Sequence, residues 1–179
     1  AEFLASKMMM DGRLLRSCRN GKAHLNAYLE DYALVTEGFL SIYQASGQIR
    51  WLKLADQLMN KQFDLFWDPE RGNFYFTSTD HEKLLLRQKE HLDNATPSGN
   101  SISSLNLLRL SVLRGKEEYR KQAEGMLTQV AAILPQHPTA FGCWLQSLDF
   151  FLGPVQEIAL LAQQGETSLL HPVRKQFLP

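Results

Sequence analysis

The chain has 179 residues, 44% hydrophobic and 21% charged, a balance that suits one globular domain over 1–179 rather than a disordered or fibrous chain. Nineteen basic residues match nineteen acidic ones, which excludes a general attraction to nucleic acid or to an anionic membrane surface. No apolar run approaches the ~20 residues of a membrane span, and Cys18 and Cys143 have neither CxxC nor Cys/His spacing, so reduced thiols in the cytoplasm are expected, with no metal or other cofactor.

Residues 2–10 read as the last turns of a helix that begins upstream, because the apolar stripe of Phe3, Leu4 and Met8 starts without a capping signal. Glu2 and Lys7 and the lack of a small-residue cleavage site argue against a secretion signal. Asp11-Gly12 breaks this helix, and 13–21 read as a polar, basic turn region with a short extended piece at Leu14-Leu15; 24–28 lead into the first long helix.

The stretch 28–67 organises the rest. Leu34, Val35, Phe39, Leu40, Ile42 and Tyr43 recur at helical spacing, stop at Gly47, and resume as Trp51, Leu54, Ala55, Leu58, Met59 and Phe63, which predicts two helices folded back on each other. Sixty-eight positions later the pattern returns: Gly47, Trp51, Ala55 and Met59 fall on Gly115, Tyr119, Ala123 and Leu127. The fold class is therefore mainly α, an array of helical hairpins.

Between the hairpins, 68–97 reads as an antiparallel β-hairpin insertion whose strands are 74–77 and 84–87. Ser98-Gly99-Asn100-Ser101 opens the second inner helix with cap-type residues. Its partner runs over 117–134 to Pro135, and a third inner-type helix over 140–152 ends at Gly153-Pro154. The segment 154–179 reads as a short C-terminal strand over 155–161 followed by a helix over 166–177.

In such an array the helices opening at Leu29, Ser98 and Ala140 share one direction, which gathers their N-termini and the neighbouring polar residues on one face. Asp31 and Asp93 are the candidates for general acid–base work, and Glu30, Tyr32, His91, Ser98 and Asn100 for substrate binding. Each also has a plainer reading: Glu30 and Asp31 suit a helix first turn, Ser98 an N-cap without a GxSxG elbow, and scattered histidines the surface or core.

At LEDYALVTEGFLSIYQASG, FWDPERGNFYFT and KEHLDNATPSGNSISSLNLLRL the chain resembles the C-terminal part of the thioredoxin-domain proteins related to spermatogenesis-associated protein 20. Leu92 and Asn94 depart from the family pattern, where tyrosine and glycine are common. The resemblance implies part of an (α/α)6 toroid like those of six-hairpin glycosidases and sugar epimerases, with a site at the mouth of the inner helices. It implies a carbohydrate ligand and a thioredoxin-like domain as a neighbour. The alternative is a non-catalytic scaffold whose concave surface binds a protein partner or that domain. A partial toroid leaves apolar flanks open, so either a homodimer or a missing N-terminal portion is expected to cover them.

Overall fold

A computed structural model of the chain describes residues 1–81 and 85–155. Its architecture is mainly α, with small antiparallel β pieces. A π-helical turn, Leu4–Met8, leads into a three-stranded meander of β1 (Met9–Met10), β2 (Arg13–Arg19) and β3 (Lys22–Asn26). Two helical hairpins follow: α1 (Leu29–Ser46) with α2 (Ile49–Phe66), then α3 (Gly99–Arg114) with α4 (Glu117–Val130). A 3-10 turn, Pro138–Ala140, precedes α5 (Gly142–Leu152).

The repeat is real at its hinges. Gly47 and Gly115 both close their inner helix in the left-handed region, at φ 70° and 64°, a conformation that costs glycine nothing. Gly153 differs, ending α5 in extended backbone at φ −74°.

The helices α1, α3 and α5 stand side by side and parallel. Gly99 at the start of α3 lies against Leu29 and Glu30 at the start of α1, and further along Asn106 Nδ2 donates to the Ala33 carbonyl at 2.9 Å. On the other flank of α3, Ser104 and Ser147 share a hydroxyl hydrogen bond of 2.8 Å. Small side chains at these contacts, with Ala33, Ser103, Ser104 and Ser147 wholly buried, let the parallel backbones approach closely.

The second layer is α2 and α4, which bury Trp51, Leu58, Met59 and Phe66 from one and Tyr119, Ala123 and Met126 from the other. Each of the larger apolar side chains, such as Leu58, Met59, Phe66 and Met126, contributes about 1.5–3 kcal/mol by leaving water. Asp56 clamps the layer: its carboxylate accepts from Lys116 Nζ at 2.7 Å, the Tyr119 hydroxyl at 3.1 Å and Arg114 Nε at 3.2 Å. Burial foremost pushes the Tyr119 hydroxyl up to about 12.

Several local expectations are corrected. The basic stretch 13–21 is a strand and its turn, because Asn20-Gly21 takes φ 51° and 73°, the paired left-handed geometry of a two-residue hairpin, as Asp11-Gly12 does at 51° and 76°. The expected helix over 2–10 runs only to Met8, as two α-helical residues and the π turn, and gives way to β1 at Met9. Among the described residues the strand pair in the insertion is β4 (Trp67–Asp68) with β5 (Asn73–Phe74) rather than 74–77 with 84–87, of which Leu84 lies outside those residues. Asp68 Oδ1 accepts from the backbone N–H of Glu70 at 3.0 Å and of Arg71 at 3.2 Å, which closes the reversal early, whereas Leu85 and Leu86 are exposed and outside any strand. Helix α4 stops at Val130, before Leu134. The strand and helix expected over 155–161 and 166–177 lie, from 156 onward, outside the described residues.

Candidate functional site

The parallel packing of α1, α3 and α5 puts their N-termini at one end of the molecule, and Asp31 and Asp93 lie at that end. Asp31 is the third residue of α1, where its Oδ2 accepts from the Tyr28 backbone N–H at 2.9 Å and faces Arg16 Nη1 at 3.4 Å. Asp93 joins two helices: Oδ1 accepts from the Ser98 N–H at 2.8 Å and the Ser101 hydroxyl at 2.5 Å, and Oδ2 accepts from the Cys143 N–H at 2.8 Å. Both carboxylates thus satisfy backbone donors that a helix start leaves free.

The other residues singled out from the sequence are spread by depth. Ser98 is the N-cap of α3, its hydroxyl accepting from the Ser101 N–H at 3.1 Å. Asn100 is wholly buried, bonded to both the N–H and the carbonyl of Phe74 at 2.9 Å, and so fastens β5 to α3. Tyr32 is wholly buried, and its hydroxyl accepts from the Leu14 N–H at 2.9 Å. The His91 carbonyl accepts from Trp144 Nε1 at 2.8 Å, while burial, aided by Lys89, lowers the affinity of its imidazole for a proton.

Glu30 lines a cleft, an open space of about 750 Å3 whose other described lining residues are Arg16, Leu25, Asn26, Tyr28, Phe76, Asp80 and His81. The Tyr28 ring stacks on Phe76 at 4.8 Å and on His81 at 4.9 Å, and the Arg16 guanidinium lies over the same ring at 4.7 Å. Arg16 Nη2 also meets Glu30 Oε1 at 3.2 Å. On the far wall Arg13 grips Asp80 through Nη1 at 2.5 Å and Nη2 at 2.7 Å. Burial alone would raise the Asp80 carboxyl, but the Ser78 hydroxyl and Arg13 outweigh it and hold the group below its ordinary value.

This wall was not legible as a site in the sequence. Phe76 and Thr77 read as strand, and Ser78-Thr79-Asp80-His81 as the start of a polar spacer; the available signal is a hydroxyl, a carboxylate and an imidazole within four residues just after an aromatic run. Among the described residues no three His, Cys, Asp or Glu side chains gather as a metal site, and no helix is long and apolar enough to cross a membrane.

No family model matches the chain. It is similar to human spermatogenesis-associated protein 20, 36% identical over 193 aligned positions that cover all of this chain and 25% of the relative. The mouse protein of that name is 32% identical over all of the chain and 24% of its own length. An uncharacterised protein of Caenorhabditis elegans is 34% identical over 80% of the chain and 22% of its own length. The chain therefore spans about a quarter of the length of the curated relatives it matches. A mainly α hairpin array aligned from end to end with the C-terminal quarter of the human and mouse proteins, this chain belongs to the spermatogenesis-associated protein 20 family.

Proposed function

We propose that this region is part of a six-hairpin glycosidase-like domain and binds carbohydrate in the cleft at the mouth of the inner helices. The observation that carries the reading is the composition of that cleft, in which stacked Tyr28, Phe76 and His81 stand beside Glu30, Asp80 and Arg16. Aromatic rings match the C–H face of a sugar, and carboxylates and a guanidinium match its hydroxyls. A sugar panel titrated against the chain, followed by backbone NMR shifts, tests it: Tyr28→Ala should abolish a shift that the wild type shows, and no shift with any sugar overturns the reading.

In its catalytic form the proposal gives acid–base work to Asp31 and Asp93. Substrate would then displace the Tyr28 and Arg16 contacts of Asp31 and part of the Ser98, Ser101 and Cys143 set on Asp93. Asp31→Asn in the complete family protein should remove sugar turnover; unchanged turnover assigns Asp31 to capping alone.

A second reading, a non-catalytic scaffold, is favoured by those same capping contacts, which give both aspartates a structural task. Its partner is the remaining, thioredoxin-like part of a longer family member or a second copy of this chain. A cytoplasmic setting goes with either reading, because Cys18 is an exposed free thiol and Cys143 a buried one.

A further inference from the structure

We infer that His81 is a general base of the cleft, held in its reactive tautomer by Ser78 and Asp80. One hydroxyl oxygen fixes where the protons lie. Ser78 Oγ has three close neighbours: Asp80 Oδ1 at 2.6 Å, His81 Nδ1 at 2.5 Å and Arg13 Nη2 at 3.2 Å. A hydroxyl has one proton to give and two lone pairs to offer. Arg13 can only donate, so it takes one lone pair. Asp80, ionised beside Arg13, can only accept, so it takes the proton. The remaining lone pair faces Nδ1, which must therefore carry hydrogen.

The competing assignment has Nδ1 accept from the Ser78 backbone N–H, a contact of 3.3 Å. The single hydroxyl proton could then serve only one of two acceptors, leaving facing lone pairs either at His81 Nδ1, at 2.5 Å, or at Asp80 Oδ1, at 2.6 Å, and these two short contacts decide. Ser78 is 2% exposed, so water does not stand in for any of its three partners.

With hydrogen on Nδ1, the Nε2 lone pair meets no hydrogen-bond donor among the described residues, on a ring that lines the cleft. When Nε2 takes a proton from a hydroxyl of a bound ligand or from a water, the electron pair of that O–H bond stays on the oxygen. The imidazolium then returns the proton to solvent through the open cleft. Its charge is stabilised by Asp80 through the Ser78 hydroxyl and by the Tyr28 ring face at 4.9 Å, with Glu30 on the same cleft, and is opposed by Arg13 and Arg16. Ser78, Asp80 and Arg13 are positioning residues, since they act through His81.

The inference rests on the cleft being the ligand site, yet its test does not require a known ligand. In the full chain labelled with 15N, long-range imidazole spectra report which ring nitrogen carries hydrogen, and His81→Gln identifies the signal among the five histidines. The expected result is Nδ1–H for His81 in the wild type, with a roughly tenfold shift toward Nε2–H in Asp80→Asn, as loss of one charge-assisted hydrogen bond gives. Carbethoxylation of Nε2 by diethyl pyrocarbonate should slow in parallel. Ser78→Ala should behave likewise, and if it fails to fold, Asp80→Asn decides alone.

Nε2–H in the wild type, or a tautomer ratio indifferent to Asp80→Asn, overturns the inference. Sugar binding by a wild-type protein whose His81 is Nε2–H sinks the base and leaves the carbohydrate reading standing. An Nδ1–H ring in a protein that binds no sugar supports the base and sinks that reading.

Discussion

Gly99 shows how tightly the inner row is fitted. A Cβ at this position would stand 2.7 Å from Leu29 Cγ and 3.1 Å from the backbone nitrogen of Glu30, so the start of α3 would have to move away from α1. Gly99→Ala should cost roughly 1–3 kcal/mol, read from urea unfolding, despite alanine's better helix propensity. His91 sets a pH dependence at the same scale. Burial keeps its folded proton affinity below that of the unfolded imidazole near pH ~6.5, so the unfolded chain binds a proton that the folded one refuses. Stability should fall as the pH drops from about 7 toward 5, and His91→Gln should flatten that slope in denaturation curves. Ser98 could be read from sequence because an N-cap is a local pattern. The task of Ser78 could not, since its partner Arg13 lies sixty-five positions away.

Among the elements, α3 and α5 depend on one side chain outside both. Asp93 accepts from the N-termini of the two helices at once, so Asp93→Ala should cost about 2–4 kcal/mol and lower the urea midpoint, while Asp93→Asn, which keeps one acceptor oxygen, should cost less. The long helices were legible because their apolar periodicity and their Gly47 and Gly115 stops agree. The β2–β3 hairpin was hidden by its basic composition, although Asn20-Gly21 between alternating residues is a strong short-range hairpin signal. The β4–β5 pair was misplaced because Phe74-Tyr75-Phe76 looks like a strand, whereas Asn100 takes the backbone of Phe74 as a neighbouring strand would.

For the molecule as a whole, α5 is the last inner helix among the described residues, and on it and just after it Leu145, Leu152 and Val155 are 37%, 72% and 47% exposed. If a second copy covers such apolar surface, light scattering should show a mass that rises with concentration and falls toward the monomer in Leu152→Glu; a constant monomer mass leaves the rest of a longer protein as the covering partner. The parallel direction of the inner helices was legible from the repeat, because each inner helix is followed by an outer one that returns the chain to the same end.

That row has a mechanical consequence. Helix α5 is held at its leading end by Asp93 and along its side by the Ser104–Ser147 pair. Tension applied from the carboxyl side would load its trailing end first and peel it away, with the aspartate as the last bond to rupture, before either hairpin began to unravel.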